Sequence, residues 1–272
     1  MTTLLSRNNP KVKQIRQLLS QRKERDSTGL FAVEGIRHVG EAVAAHASVE
    51  YLCYTPDLLT SDFAHQLIHE QSQLGIPCLA IDGDTFTGLA GKDNPQGIIA
   101  VVHKPHFALD MLSPKNFPWG VALVAPQDPG NIGTILRTID AVGASGLLLL
   151  DDPTNNQHST DPFHPSSVRA SMGAIFWYPL IVATFSEFTR WVKANGFKIV
   201  GTSAHAAQDY RHIERFVQPL ILLMGSEREG LTPTQSAVCD VLLKIPMQGR
   251  VTSLNLAIAT GVMLYAIMDK TG

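Results

Sequence analysis

Long apolar runs are missing from this 272-residue chain, and none approaches the roughly 20 residues that a membrane-spanning helix needs. The opening residues, MTTLLSRNNPKVKQIRQ, lack the apolar core and small-residue cleavage site of a secretory signal. Neither export nor a membrane partner is expected. Cysteine is scarce: Cys53, Cys78 and Cys239 are scattered in apolar surroundings, which suits buried thiols in a reducing cytoplasm. There is no Walker loop, Rossmann fingerprint, HExxH or CxxC pair. No metal site is expected, and a metabolic enzyme with a glycine-rich phosphate loop loses its main support. Charge of one sign is also lacking, since the net charge is only −2 and gives no global reason to expect a nucleic acid.

What is present is core-forming material. Hydrophobic residues make up 44% and charged residues 17%, enough for one large domain or two ordinary ones. Charge is uneven along the chain. Arg7, Lys11, Lys13, Arg16, Arg22, Lys23 and Arg25 are opposed only by Glu24, so this arm suits phosphate contacts or a solvated helix face equally well.

Periodicity divides the chain in two. Val12, Ile15, Leu18 and Leu19 recur at helical spacing after Pro10, and strand and helix patterns then alternate up to the strong strand Gly97–His103. Residues 1–103 are thus expected to form a small α/β domain. Residues 104–118, with three prolines and little periodicity, read as a linker. From 119 onward the alternation restarts, with apolar strands at Val121–Ala125, Leu147–Leu150 and Lys198–Gly201 and helices at Ile132–Val142 and Phe185–Asn195. Continuous apolar strands predict a parallel sheet covered on both faces.

Residues 220–265 concentrate the features that suit a ligand. Leu220–Met224 stops at Gly225, Val241–Ile245 stops at Pro246, and an apolar helix runs over Leu254–Ile267 behind the possible caps Ser253 and Asn255. Two strand ends and a helix start expose backbone groups that suit a small polar ligand, although an ordinary α/β core with two tight turns fits as well. Upstream, Asp128-Pro129-Gly130-Asn131 forms a turn in which Asn131 is placed to cap the next helix. Arg137 rises from that helix among Ile135, Leu136 and Ile139, where a guanidinium needs a carboxylate or phosphate partner.

Asn131 with Arg137, Gly225-Ser226-Glu227 with Gly230-Leu231, and Ile245-Pro246-Met247 with Ser253-Leu254-Asn255 closely resemble the three motifs of the SpoU (TrmH) family of RNA ribose 2′-O-methyltransferases. The resemblance spans 119–267 and includes Arg169-Ala170-Ser171-Met172-Gly173-Ala174 between the first two motifs. Phe31-Ala32-Val33-Glu34-Gly35 looks like part of the ribosomal-protein-like RNA-binding domain that often precedes the catalytic one. One departure is Thr252, where the family often has an acidic residue.

The resemblance implies a trefoil-knotted α/β methyltransferase domain over 119–272, preceded by the small RNA-binding domain. Its cofactor would be S-adenosylmethionine, lined by Met224, Gly225, Ile245, Met247 and Leu254. Arg137, Asn131, Glu227, Ser253 and Asn255 would form the catalytic group, Glu227 pairing with an arginine. Arg137 would meet the ribose hydroxyl and its phosphate, either as an awkward base or as an orienting cation. Ribosomal RNA is the expected substrate on the two-domain layout. Transfer RNA, or RNA binding without catalysis on the same fold, remain open. A homodimer through the catalytic domain is expected, because Leu254–Ile267 is apolar nearly all round and carries the small residues Ala257, Ala259, Gly261 and Ala266.

Overall fold

The computed structural model describes residues 4–90 and 95–271. Two compact units are present: residues 1–105 with 163–176, and residues 106–162 with 177–272.

The first unit contains α1 (Pro10–Ser20), α2 (Arg22–Thr28), β1 (Leu30–Glu34), α3 (Ile36–Ala44), β2 (Val49–Tyr54), α4 (Asp62–Gln73), β3 (Cys78–Ala80), α5 (Gly83–Thr87) and β4 (Ile98–His103). Pro10 opens α1, and Asn9 caps it by accepting from Lys11 N; Val12, Ile15 and Leu18 form the buried face. The four strands are ordered β1-β4-β2-β3, with β4 antiparallel to both of its neighbours. Val12, Ile15, Leu18, Tyr51, Phe86, Ile99 and Val101 share its core.

Residues 163–176 belong to this unit although the expected boundaries place them in the catalytic half. The Phe31 ring is the physical reason, with Phe163 at 4.9 Å and Phe176 at 6.0 Å between centroids. Arg169 adds an ion pair to the buried Glu34 at 3.9 Å, and its carbonyl meets the His38 ring. The residues expected to be a linker are also structured. From His106 they pack with the second unit, where Leu112 and Phe117 are buried and the Trp191 indole donates to Leu112 O.

The basic arm needs one correction. Arg25 is 1% exposed and donates to Leu18 O, so it serves the core and cannot reach a phosphate. Arg22 pairs with Asp26, while Arg7, Lys13 and Lys23 face solvent.

The second unit contains β5 (Trp119–Val124), α6 (Pro129–Val142) and β6 (Leu147–Asp151); α7 (Pro165–Ala170) and α8 (Ala174–Trp177) follow in the chain. It continues through β7 (Leu180–Thr184), α9 (Phe185–Asn195), β8 (Lys198–Thr202), β9 (Gln208–Asp209), β10 (Leu220–Met224), α10 (Pro233–Ser236), β11 (Val241–Lys244) and α11 (Leu256–Lys270). Its seven strands are ordered β7-β6-β5-β10-β8-β11-β9, and every pairing is parallel. β5, β10 and β6 are buried along the runs that read as uninterrupted apolar strands. The strand order places the carboxyl ends of β5, β10, β8 and β11 side by side. In open parallel sheets ligands bind at such ends.

No helix among the described residues is long and apolar enough to cross a membrane.

Candidate active site

A cavity of about 430 Å³ lies where the ends of β8, β10 and β11 meet α11. All five residues expected to line a cofactor, Met224, Gly225, Ile245, Met247 and Leu254, lie on its wall. So do Glu227 and Ser253. Loop crossing explains Gly225: a Cβ there would collide with the backbone of Gly230 and Leu231. The loop after β10 is closed by paired backbone bonds between Ser226 and Gly230, at 3.2 and 3.0 Å.

That loop is held from both sides. Glu227 accepts from Gln127 N at 3.1 and 3.2 Å and from Asp128 N at 3.4 Å, which ties it to the turn after β5. On the other side Glu229 accepts from Gln157 Nε2 at 3.0 Å. Gln157 in turn accepts from the fully buried Gln235, whose amide also donates to Asp152 at 2.7 Å. Carboxylates accepting N–H bonds form the stronger class of hydrogen bond, so this loop is well fixed without any arginine. The expected pairing of Glu227 with an arginine is absent among the described residues; backbone amides take that place.

Asn131 does not cap its helix. Asp128 does, accepting from Gly130 N at 2.7 Å, and the helix therefore starts earlier, at Pro129. Asn131 is buried in the first turn, where it donates to Glu227 Oε1 at 3.3 Å and accepts from Asn255 Nδ2 at 3.0 Å. Asn255 is the cap of α11, its Oδ1 accepting from Ala257 N and Ile258 N. One amide thus serves the helix with its oxygen and the site with its nitrogen. The chain Glu227–Asn131–Asn255 joins the first, second and third motifs.

Arg137 stands apart from this chain. It lies on an exposed face of α6, with no hydrogen bond or ion pair to any described residue, and it is not on the cavity wall. Six residues along a helix place it about 9 Å from Asn131 and about 120° round the axis. The structure therefore brings together every expected site residue except Arg137.

Sequence reasoning missed part of the wall. Thr202, the last residue of β8, and Ser203 and His205 just after it line the cavity. The available signal was positional: these residues lie at the carboxyl end of a parallel strand next to β10.

The cavity suits S-adenosylmethionine in size and in chemistry. Its volume falls within the range of small-molecule sites, and Ile245, Met247, Leu254 and Leu256 offer an apolar wall facing polar groups from Ser203, Ser226 and Glu227.

Comparison with known proteins agrees with this geometry. Residues 118–265 match the model of the SpoU rRNA Methylase family, and residues 9–100 match an MRM3-like substrate binding domain. A 23S rRNA (uridine(2479)-2'-O)-methyltransferase of Streptomyces viridochromogenes is 33% identical over 96% of this chain and 90% of its own length. A 23S rRNA (guanosine(2553)-2'-O)-methyltransferase of Bacillus subtilis is 30% identical over 97% of this chain and 98% of its own. The crystal structure of an AdoMet-bound rRNA methyltransferase from Sinorhizobium meliloti superposes with a TM-score of 0.86 at 36% identity, covering 99% of this chain and 97% of the other. With its fold, its three linked motifs and its substrate-binding domain all matched, the chain belongs to the SpoU rRNA methylase family.

Proposed function

We infer that this protein transfers a methyl group from S-adenosylmethionine to a ribose 2′-hydroxyl of ribosomal RNA. The observation that carries this is the Glu227–Asn131–Asn255 chain, which fastens all three motifs around one cavity at the strand ends. Two relatives that match along nearly their whole length are named 23S rRNA 2'-O-methyltransferases.

When bound, S-adenosylmethionine supplies an electrophilic methyl on its sulfonium. Ile245, Met247 and Leu254 exclude water from the apolar part of the cavity, and Gly225 lets the backbone approach closely. Asn131, held by Asn255, fixes Glu227 on the polar side of the wall. Attack by a ribose hydroxyl requires the oxygen to be held in line and to lose its proton as the bond forms. A guanidinium keeps its own proton through the neutral range, so Arg137 orients the flanking phosphate and opposes the negative charge growing on the oxygen.

Arg137 reaches a cavity in a homodimer, where the arginine of one subunit completes the site of the other. The support is an apolar stripe on α11: Ile258, Tyr265 and Met268 are exposed, Ile258 at 58%, on a helix that also packs against α6 and β10. Turns of one helix place these three on one side. The chain's path through the sheet is expected to form the family's trefoil knot, and a ribosomal RNA substrate is consistent with a cytoplasmic protein. The phosphate-binding arm in the first unit consists of Arg7, Lys13 and Lys23.

The test is transfer of labelled methyl to deproteinised 23S rRNA, with the protein's mass measured by light scattering in the same buffer. Methylation by a dimer supports the account. Full activity from a species of about 30 kDa, the mass of one chain, removes the dimer and the shared site.

A further inference from the structure

The first unit contains a second groove, of about 540 Å³, along α3. Arg37, Glu41, Phe63 and Gln96 contribute to it. Phe63 is 55% exposed, at the start of α4, one turn before the buried Leu67. Its ring is nevertheless seated. It lies so close to the backbone of α3 that a Cβ at Gly40 would be 3.1 Å from Cε1 and Cζ. Glycine inside a helix is unfavourable by about 1 kcal/mol relative to alanine, and here the missing side chain makes room for the ring.

The polar groups of the groove are just as specifically placed. Gln96 Oε1 accepts from Ile36 N at 3.0 Å, which anchors the amide and leaves its NH2 without a partner among the described residues. Arg37 is exposed and has no ion pair or hydrogen bond to any described residue, and the first turn of α3 holds no acid to neutralise it. Glu41 stands one turn further along, so positive charge is confined to one end. The groove thus offers one flat aromatic face, one free guanidinium and, at the start of α3, an amide donor.

We propose that this groove holds one unpaired nucleotide of the substrate RNA, its base stacked on Phe63 and its phosphate on Arg37. Exposed aromatic faces bind bases of any sequence by stacking, and guanidinium matches phosphate in geometry as well as charge. Glu41 repels a second phosphate, so the groove accepts a single splayed nucleotide and not a continuous backbone. The proposal rests on the first unit being the RNA-binding part of a methyltransferase, and all of its residues lie within the matched substrate binding domain.

The experiment uses the full-length protein with a fluorescein-labelled oligouridylate decamer, a ten-base-pair RNA duplex, and methyl transfer to 23S rRNA. Phe63→Ala is expected to weaken decamer binding about 5- to 150-fold, the range of a single lost stack. Phe63→Trp is expected to restore it, and duplex binding should change less than twofold. Arg37→Ala should weaken the decamer and lower its log–log salt slope by about 0.7, one single-strand phosphate. Melting temperatures of the variants report whether the fold is intact. Decamer affinity within twofold of wild type in both alanine variants, or equal losses on decamer and duplex, overturns the groove. So does a wild type that methylates ribosomal RNA without binding the decamer. A wild type that neither binds nor methylates RNA overturns the underlying reading instead.

Discussion

Asn255 donates from Nδ2 to Asn131 Oδ1 at 3.0 Å across 124 residues of sequence, while its own Oδ1 caps α11. The two functions of this amide can be separated. Asn255→Asp keeps a capping oxygen and removes the donor to Asn131. It is expected to melt within a few degrees of wild type while methyl transfer falls at least tenfold. Asn255→Ala loses both, and thermal melting should show a further loss of about 1 kcal/mol, a typical cap contribution. Wild-type activity in Asn255→Asp, or equal melting temperatures in the two variants, contradicts the division.

Glu227 holds the turn after β5 through backbone amides. Glu227→Gln replaces a charged acceptor by a neutral one. Because this side chain is exposed, the stability change should stay below about 1 kcal/mol. The larger effect is expected in S-adenosylmethionine affinity, since the loop forms the cavity wall; titration calorimetry should show at least a fivefold weakening.

Arg137 has no structural partner among the described residues, so removing it should leave the fold unharmed. Arg137→Ala is expected to keep the wild-type melting temperature and cofactor affinity and to lose at least a hundredfold in methyl transfer, about 2.7 kcal/mol at the reacting centre. Mixing it with Asn255→Asp under conditions of subunit exchange should recover activity, because mixed dimers then contain one intact site. No recovery places Arg137 and Asn255 in the same subunit's site.

Much of this arrangement was legible in the sequence, for identifiable reasons. Leu220–Met224 was readable as a buried strand because an apolar run ends at a glycine, and the structure has β10 over those same residues. The parallel second sheet followed from leucine-rich strands with no polar alternation. α2 was not legible, because RKERDST has no apolar stripe and is held by the burial of an arginine. β7 was missed because it is an edge strand with Val182 exposed, so its pattern is broken by solvent. Residues 163–176 were assigned by sequence continuity, whereas their place depends on aromatic contacts with Phe31, which no local pattern encodes.

That last contact affects how RNA binding should be tested. Deleting residues 1–103 would strand Phe163 and Phe176 without the ring they pack on. Charge changes in the full chain avoid this. Lys13→Glu with Lys23→Glu is expected to weaken binding of 23S rRNA and reduce its log–log salt slope by about 1.5, two phosphate contacts, with cofactor affinity unchanged. An unaltered slope excludes the arm from RNA binding.

Burial pushes the Cys53 thiol up to about 12 and the Cys239 thiol up to about 11, and raises Cys78 as well. The neutral thiol is therefore the native form at pH 8. Ellman's reagent should react slowly with the folded protein at that pH and with all three thiols after denaturation. A rapid native reaction at Cys53 contradicts its placement in the core.

The central claim is tested most directly by locating the transferred methyl. Deproteinised 23S rRNA is incubated with the protein and S-adenosylmethionine labelled in its methyl group, and the RNA is then hydrolysed in alkali. A ribose 2′-O-methyl blocks cleavage of the adjoining phosphodiester, so the account predicts label in a single alkali-resistant dinucleotide, lost in Arg137→Ala. Label recovered in mononucleotides, which marks a methylated base, or no transfer from an intact protein that binds the cofactor, would contradict it.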